Sequence, residues 1–254
     1  MTDPAPASPT KLARWAAPPA DPKLGAADAH VWRLDLRRAG ADVENLERLL
    51  TPAESERAAA FRFARDRDRF VVARALRRIT LGRYLDAPPN ALAFATGPHG
   101  KPGLIGPGDA AALQFNLAHA DDLALLVVAR GRPVGVDLER VRDDVPIMTL
   151  AERFFAPDEL EALRQLPAGQ RTAAFFRCWT RKEAFVKARG EGLSLPLAAF
   201  AVSLAPDEPP ALRRVDWDAE ERTRWTLLDL PPLPGYAAAL AFAAGPIQLA
   251  CWDA

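Results

Sequence analysis

The chain has 254 residues, 49% hydrophobic and 26% charged, enough to bury a sizeable core in one or two domains. Its 33 basic and 33 acidic residues cancel, which excludes a uniformly basic nucleic-acid coat and an acidic solubilising tail. No apolar run reaches the roughly 18 residues of a membrane span, and the N-terminus lacks the basic-then-apolar order of a signal peptide. The two cysteines, Cys178 and Cys251, have no CxxC spacing, so neither a disulfide framework nor a zinc site is expected and a reducing, cytoplasmic setting fits.

Residues 1–27 carry six prolines among alanines, with no apolar period, and are expected to be a disordered lead-in. Order is expected from Ala29, where "HVWRLDL" alternates as a strand. In "LLTPAESERA", Thr51 suits an N-cap, Pro52 the first helical position, and Glu54 closes a capping box. A longer helix is expected over Asp68 to Leu85, ending before Pro88 and Pro89. "NALAF" reads as a strand and "TGPHGKPG" as a Gly/Pro loop. "LQFNL" and "DLALLVVAR" read as paired strands joined by a turn holding His119. "PVGVDLERV" is a further strand.

The plan then repeats. "FFAPDELEAL" answers "LLTPAESERA" 105 positions on, Pro157 for Pro52 and Glu159 for Glu54. A second long helix, Thr172 to Arg189, follows, then strands in "AAFAVSL", "WTLLDL", "YAAALAF" and "IQLACW". Two similar α+β halves are expected, an N-terminal lobe over 28–130 and a C-terminal lobe over 131–254, with a cleft between them as the ligand site.

Four features could carry chemistry. In "GVDLERV", Asp137 and Glu139 share one strand face, about 7 Å apart along the strand. That pattern fits a solvated strand face, and it fits a hard-cation site, since Mg²⁺ takes carboxylate oxygens. In "FFRCWTRKEAFVKARGEGL", Trp179, Glu183 and Lys187 follow at helical i, i+4 spacing and share one stripe, which can be an ordinary ion pair beside an aromatic or part of a site. From Arg57 to Arg83 there are nine arginines against two aspartates, a local net charge of +7. That asymmetry suits a solvated helix or a phosphate-rich or acidic ligand. Phe70, within it, is expected in the core. Lys101 in its loop and His119 in its turn are individually weak signals. No Walker A loop, GxSxG elbow or HExxH helix is present.

Together "RFARDRDRF", "GKP", "FNLAH", "GVDLERV" and "WTRKEAFVKARGEGL" resemble the two-lobed, Sfp-type 4′-phosphopantetheinyl transferase family, over about Leu49 to Leu204. The resemblance implies a pseudodimer of two α/β lobes with the active site in the cleft. It implies transfer of phosphopantetheine from coenzyme A to a serine of an apo acyl, peptidyl or polyketide carrier protein, releasing 3′,5′-ADP. By motif, Asp137, Glu139 and Glu183 would hold Mg²⁺ (Mn²⁺ as an alternative) with the pyrophosphate. Lys187 would act at the leaving oxygen, and Glu183 could take the serine proton, directly or through a water. Asn116, His119 and the basic N-terminal lobe, Arg62 or Arg65 among it, would hold the cofactor, the 3′-phosphate included, and Lys101 and Pro102 would line its adenine side. Many relatives carry serines beside the loop histidine, and here those positions are Ala118 and Ala120. A monomer is implied, with no nucleic acid and no membrane among its partners. The rivals are a non-catalytic relative that binds coenzyme A or a carrier protein, and an Arg-rich nucleic-acid module.

Overall fold

The structure, a computed structural model, describes residues 14–37, 42–243 and 245–254. Its elements run β1 (Trp15–Ala16), β2 (Asp28–Asp35), α1 (Val43–Glu47), α2 (Pro52–Ala59), α3 (Ala64–Leu85), β3 (Ala93–Thr96), β4 (Pro102–Ile105), α4 (Asp109–Ala112), β5 (Leu113–Ala120), β6 (Leu123–Arg130) and β7 (Val134–Arg140). They continue with α5 (Ile147–Phe154), α6 (Pro157–Gln165), α7 (Ala168–Arg189), β8 (Phe200–Val202), β9 (Leu212–Val215), α8 (Glu221–Arg224), β10 (Trp225–Asp229), β11 (Tyr236–Ala243) and β12 (Gln248–Asp253).

Two sheets carry the molecule. One has the order β1-β12-β2-β6-β5 and the other β10-β11-β7. The long helices α3 and α7 each span 22 residues, and each ends on a left-handed residue, Asp86 and Gly190. Both begin four residues earlier than the sequence suggests, α3 through Ala64, Arg65, Asp66 and Arg67 and α7 through Ala168, Gly169, Gln170 and Arg171, polar turns with no apolar period to mark them as helix. Helix α2 starts on the expected capping box, with the Glu54 amide donating to the Thr51 hydroxyl at 3.3 Å and the Thr51 amide to the Glu54 carboxylate at 3.0 Å. At the repeat, the Ala156 amide donates to Glu159 at 2.8 Å.

Three expectations need correction. Of the supposed disordered lead-in, residues 1–13 lie outside the described residues. The remainder is anchored: Trp15–Ala16 pairs in parallel with Cys251–Trp252, and Arg83 donates to the Ala20 carbonyl at 2.9 Å. A single large aromatic, Trp15, gives this segment the apolar contact that its prolines lack. His119 is not in a turn, since β5 runs on to Ala120 and His119 pairs with Ala124. The last strand, β12, crosses back to pair with β2, so the first lobe's sheet is completed from the end of the chain.

The first lobe has a small aromatic core between its sheet and α3. Trp32 donates to the Tyr84 hydroxyl at 2.8 Å, His30 shares that hydroxyl at 3.0 Å, and the His30 and Trp252 rings lie 4.3 Å apart. His30 is 5% exposed, and burial pushes its imidazole down to about 4. Both cysteines are buried and free. No helix among the described residues is long and apolar enough to cross a membrane.

Candidate active site at the lobe seam

Strand β7 meets α7 more closely than side chains allow. A Cβ on Gly135 would lie 2.3 Å from the Ala184 carbonyl oxygen and the Ala188 nitrogen. Strand and helix backbones therefore touch, and only glycine fits between them. This contact brings the next inward residue of the strand, Asp137, against the helix stripe. Lys187 Nζ donates to Asp137 Oδ1 at 2.5 Å. Asp137 is 3% exposed, which removes the solvated-face reading of "GVDLERV": the strand is covered on both sides over Val134–Leu138.

Glu139 and Glu183 complete an acidic cluster. Burial pushes Asp137 up, with Lys187 opposing. Burial and the Asp137 charge push Glu139 up to about 7, and the same two causes raise Glu183. Three carboxylates thus share one desolvated corner with a single ammonium. The second oxygen of Asp137 is buried without a hydrogen-bond partner. A buried carboxylate oxygen left unmatched is costly unless a donor or a cation completes it. As the side chains stand, with Asp137 turned to Lys187, no group of three ligating residues among the described residues is close enough to hold a metal ion. The oxygen-only donor set and the unmatched oxygen suit a hard divalent cation.

On the other side of the seam, the edge strand β5 is tied to β7 by Asn116, whose Oδ1 accepts from the Val136 amide at 2.9 Å. Beyond it lies a cavity of about 650 Å³, lined among others by Arg57, Phe70, Arg74, Pro102, Asn116 and His119. A second cavity, about 370 Å³, has an aromatic wall of Phe175, Phe176 and Trp179 and shares His119 and Glu139 with the seam. His119 therefore stands between a cationic chamber and an aromatic one, with the acidic cluster beside it. Desolvation lowers its imidazole, and the charges of Lys187, Arg74 and Arg69 lower it further.

The structure brings together Asn116, His119, Asp137, Glu139, Glu183, Lys187 and Pro102. It does not bring Arg62 or Arg65 to them: both are exposed, Arg62 over the Phe63 ring and Arg65 beside Asp66. The +7 run is sorted by its partners. Arg77 and Arg78 are buried against Glu54, Arg69 binds Asp122, and Arg67 binds Glu47. Arg57 and Arg74 have no acidic partner within salt-bridge distance among the described residues, and both stack on Phe70. Phe70 is a cavity wall rather than core. These two arginines were hidden in the sequence because nothing local separates a paired arginine from a free one. Lys101 sends its ammonium away from the cavity, to the carbonyls of Val134 at 3.0 Å and Ala188 at 3.2 Å. Ala118 is 3% exposed in the core between the sheets, so a serine hydroxyl there could not face a ligand.

Comparison with known proteins settles the family. A family model described as 4′-phosphopantetheinyl transferase superfamily matches residues 133–241, and one described as 4′-phosphopantetheinyl transferase, N-terminal, matches residues 39–131. The 4′-phosphopantetheinyl transferase HetI of Nostoc sp. is 37% identical over 229 residues, 90% of this chain and 93% of its own. The chain belongs to the 4′-phosphopantetheinyl transferase superfamily. A putative 4′-phosphopantetheinyl transferase of Synechocystis sp. is 35% identical over 75% of this chain and 76% of its own. The 4′-phosphopantetheinyl transferase Sfp of Bacillus subtilis is 30% identical over 65% and 70%. In this member of the superfamily the two family matches meet at residues 131–133, immediately before β7 and its acidic cluster.

Proposed function

We propose that this chain transfers the 4′-phosphopantetheine group of coenzyme A to a serine of an apo carrier protein, releasing 3′,5′-ADP, as a monomer in the cytoplasm. The observation that carries this reading is the Lys187–Asp137 pair, set among Glu139 and Glu183, with His119 between it and a cavity whose free cations are Arg57 and Arg74. Coenzyme A brings a pyrophosphate and a 3′-phosphate, and the two halves of the seam offer chemistry for each.

Asp137, Glu139 and Glu183 would hold Mg²⁺, or Mn²⁺, with Asp137 giving up Lys187 as its partner. When bound, the cation supplies charge neutralisation at the pyrophosphate. Lys187, released from Asp137, donates its proton or its charge to the leaving phosphate oxygen. Glu183 takes the proton from the incoming serine hydroxyl, directly or through a water. Burial and the Asp137 charge raise its proton affinity, the direction a general base calls for. His119, Arg74 and Arg57 hold the 3′-phosphate, and the loop at Gly100 and Pro102 faces the adenosine. Phosphoryl transfer asks mainly for positioning and charge stabilisation, which is what these residues provide.

A non-catalytic coenzyme A or carrier-protein binder is the rival reading, and the complete set of Asp137, Glu183 and Lys187 opposes it. The test is mass spectrometry of an apo carrier protein incubated with the chain, coenzyme A and Mg²⁺. A serine-linked gain of one phosphopantetheine mass is expected, dependent on the cation. An unmodified carrier across acyl, peptidyl and polyketide types would overturn the proposal.

A further inference from the structure

Two glycine-rich segments, "GPHGKP" and "RGEG", meet across the seam. Gly190 and Gly192 follow α7 with φ of 75° and 57°, values that favour glycine. A Cβ on Gly190 would lie 3.3 Å from Lys101 Cδ, and one on Gly192 3.1 Å from the His99 carbonyl oxygen. The turn after α7 is thus shaped to seat the 97–102 loop of the first lobe.

Lys101 closes that joint. Its Nζ donates both to Ala188 O, one of the last carbonyls of α7, and to Val134 O, the first residue of β7. A lysine at a helix C-terminus satisfies a carbonyl that the helix leaves open and meets the negative end of its dipole. Here one ammonium binds the strand carrying Asp137, the helix carrying Glu183 and Lys187, and the loop whose Gly100 and Pro102 line the cationic cavity. Among the described residues no carboxylate pairs with it, and burial lowers it to about 8.

We infer that Lys101 is a positioning residue that holds the acidic cluster and Lys187 in register with the cofactor cavity, rather than a ligand of the cofactor. The inference rests on the proposed function for its catalytic readout. Displacement of reacting groups by about 1 Å can cost two decades of rate, so a loosened joint should act on turnover and leave affinity alone.

The experiment compares Lys101→Met and Lys101→Arg in the full chain. Four quantities are read: transfer kinetics, the Kd of 3′,5′-ADP, amide hydrogen exchange over Ala188–Gly190, and the melting temperature. For Lys101→Met, kcat should fall about ten-fold or more, with the 3′,5′-ADP Kd within about two-fold. Exchange in the last turn of α7 should be faster. Lys101→Arg keeps donors for both carbonyls and should recover most of kcat. A ten-fold weaker 3′,5′-ADP with unchanged kcat would overturn the inference in favour of a cofactor ligand. A lower melting temperature with unchanged kcat would overturn it in favour of a purely structural tie. If the wild-type chain modifies no carrier, the proposed function fails. Exchange and 3′,5′-ADP binding then still decide the joint: unchanged exchange in Lys101→Met sinks it.

Discussion

In α3, Arg77 reaches back to Glu54 of α2 at 2.8 Å. In α7, 105 positions later, Lys182 reaches back to Glu159 of α6 at 2.7 Å. Each lobe is thus pinned by one acid after a Pro-led helix start and one cation mid-way along a long helix. The next residue of each helix is where the lobes part. In α3 it is Arg78, which adds a second bond to the same Glu54. In α7 it is Glu183, which faces the cleft beside Asp137. One turn further on, α3 has Gly82, whose missing side chain leaves room for the Ala87 carbonyl, and α7 has Lys187. On the strands, β2 buries His30 and Trp32 where β7 buries Asp137. The scaffold repeats while the acidic cluster is confined to one copy, and the other copy supplies the cationic cavity.

If that division is right, the largest effects belong to the acidic face. Asp137→Asn keeps the shape and removes the charge that Lys187 meets, so carrier modification should drop by roughly three decades or more, with melting little changed. Lys187→Ala should lower kcat by about two to four decades with a smaller change in coenzyme A affinity. Quantifying holo carrier by mass spectrometry checks both, and near-normal turnover in Asp137→Asn would remove the catalytic site from this lobe.

The shared pins should matter for stability, and unequally. Lys182 is fully buried and Glu159 1% exposed, whereas Glu54 retains 18%. Glu159→Gln strands a buried ammonium and should cost on the order of 3–5 kcal/mol. Glu54→Gln leaves both arginines their cation–π contact with Phe94 and leaves Arg78 its bond to the Leu92 carbonyl, at a partly exposed position that water can reach, and should cost less. Urea midpoints for the two variants order them, and equal losses would mean that the lobes are not pinned by burial of the acid.

A third contrast is in pH. Only the first lobe holds a buried histidine in its core. A histidine whose folded proton affinity lies below its unfolded one resists charging. The protein should keep its full stability above about pH 6.5 and lose it as pH falls towards about 4, by roughly 3 kcal/mol from His30 alone. His30→Gln should flatten the stability profile across that window, whatever its effect at neutral pH. An unchanged slope would assign the acid sensitivity elsewhere.

Much of this arrangement was legible in the sequence. Period and capping chemistry are local, so the strands at Ala29, Val134 and Tyr236, the capping box at Thr51 and the repeat at Pro157 could be read directly. So could the shared strand face of Asp137 and Glu139 and the shared helix stripe of Glu183 and Lys187, because strand alternation and helical spacing fix which residues share a face. Long-range facts could not be read. The crossover of β12 to β2 leaves no mark in "IQLACW". That Gly135 lets a strand touch a helix backbone depends on the partner. The sorting of nine arginines into paired and free depends on acids as distant in sequence as Glu47 and Asp122. Arg62, before α3, and Arg65, in its first turn, are exposed and lie outside the lining of the cationic cavity, a placement that no local pattern separates from that of Arg57 and Arg74.

That sorting gives the smallest expected effect and the most direct test of the first lobe's part. Arg74 is half-buried, stacks on Phe70 at 5.1 Å, and lacks an acidic partner among the described residues. Burial lowers its proton affinity, and Arg57 and Arg78 add to that against the pull of Glu54, which describes a cation short of an anion. Replacing it with alanine should weaken coenzyme A by an amount set by one charge-assisted contact, about 1.5–3 kcal/mol at most. The loss should shrink for 3′-dephospho-coenzyme A, which lacks the phosphate in question. Arg65→Ala, on the exposed neighbouring turn, should leave both ligands within about two-fold, as a solvated surface charge does. Isothermal titration of both ligands against both variants makes the comparison. If Arg65→Ala costs as much as Arg74→Ala, the cationic cavity is not where the 3′-phosphate is held. If Arg74→Ala weakens the two ligands equally, this arginine meets some other part of the cofactor.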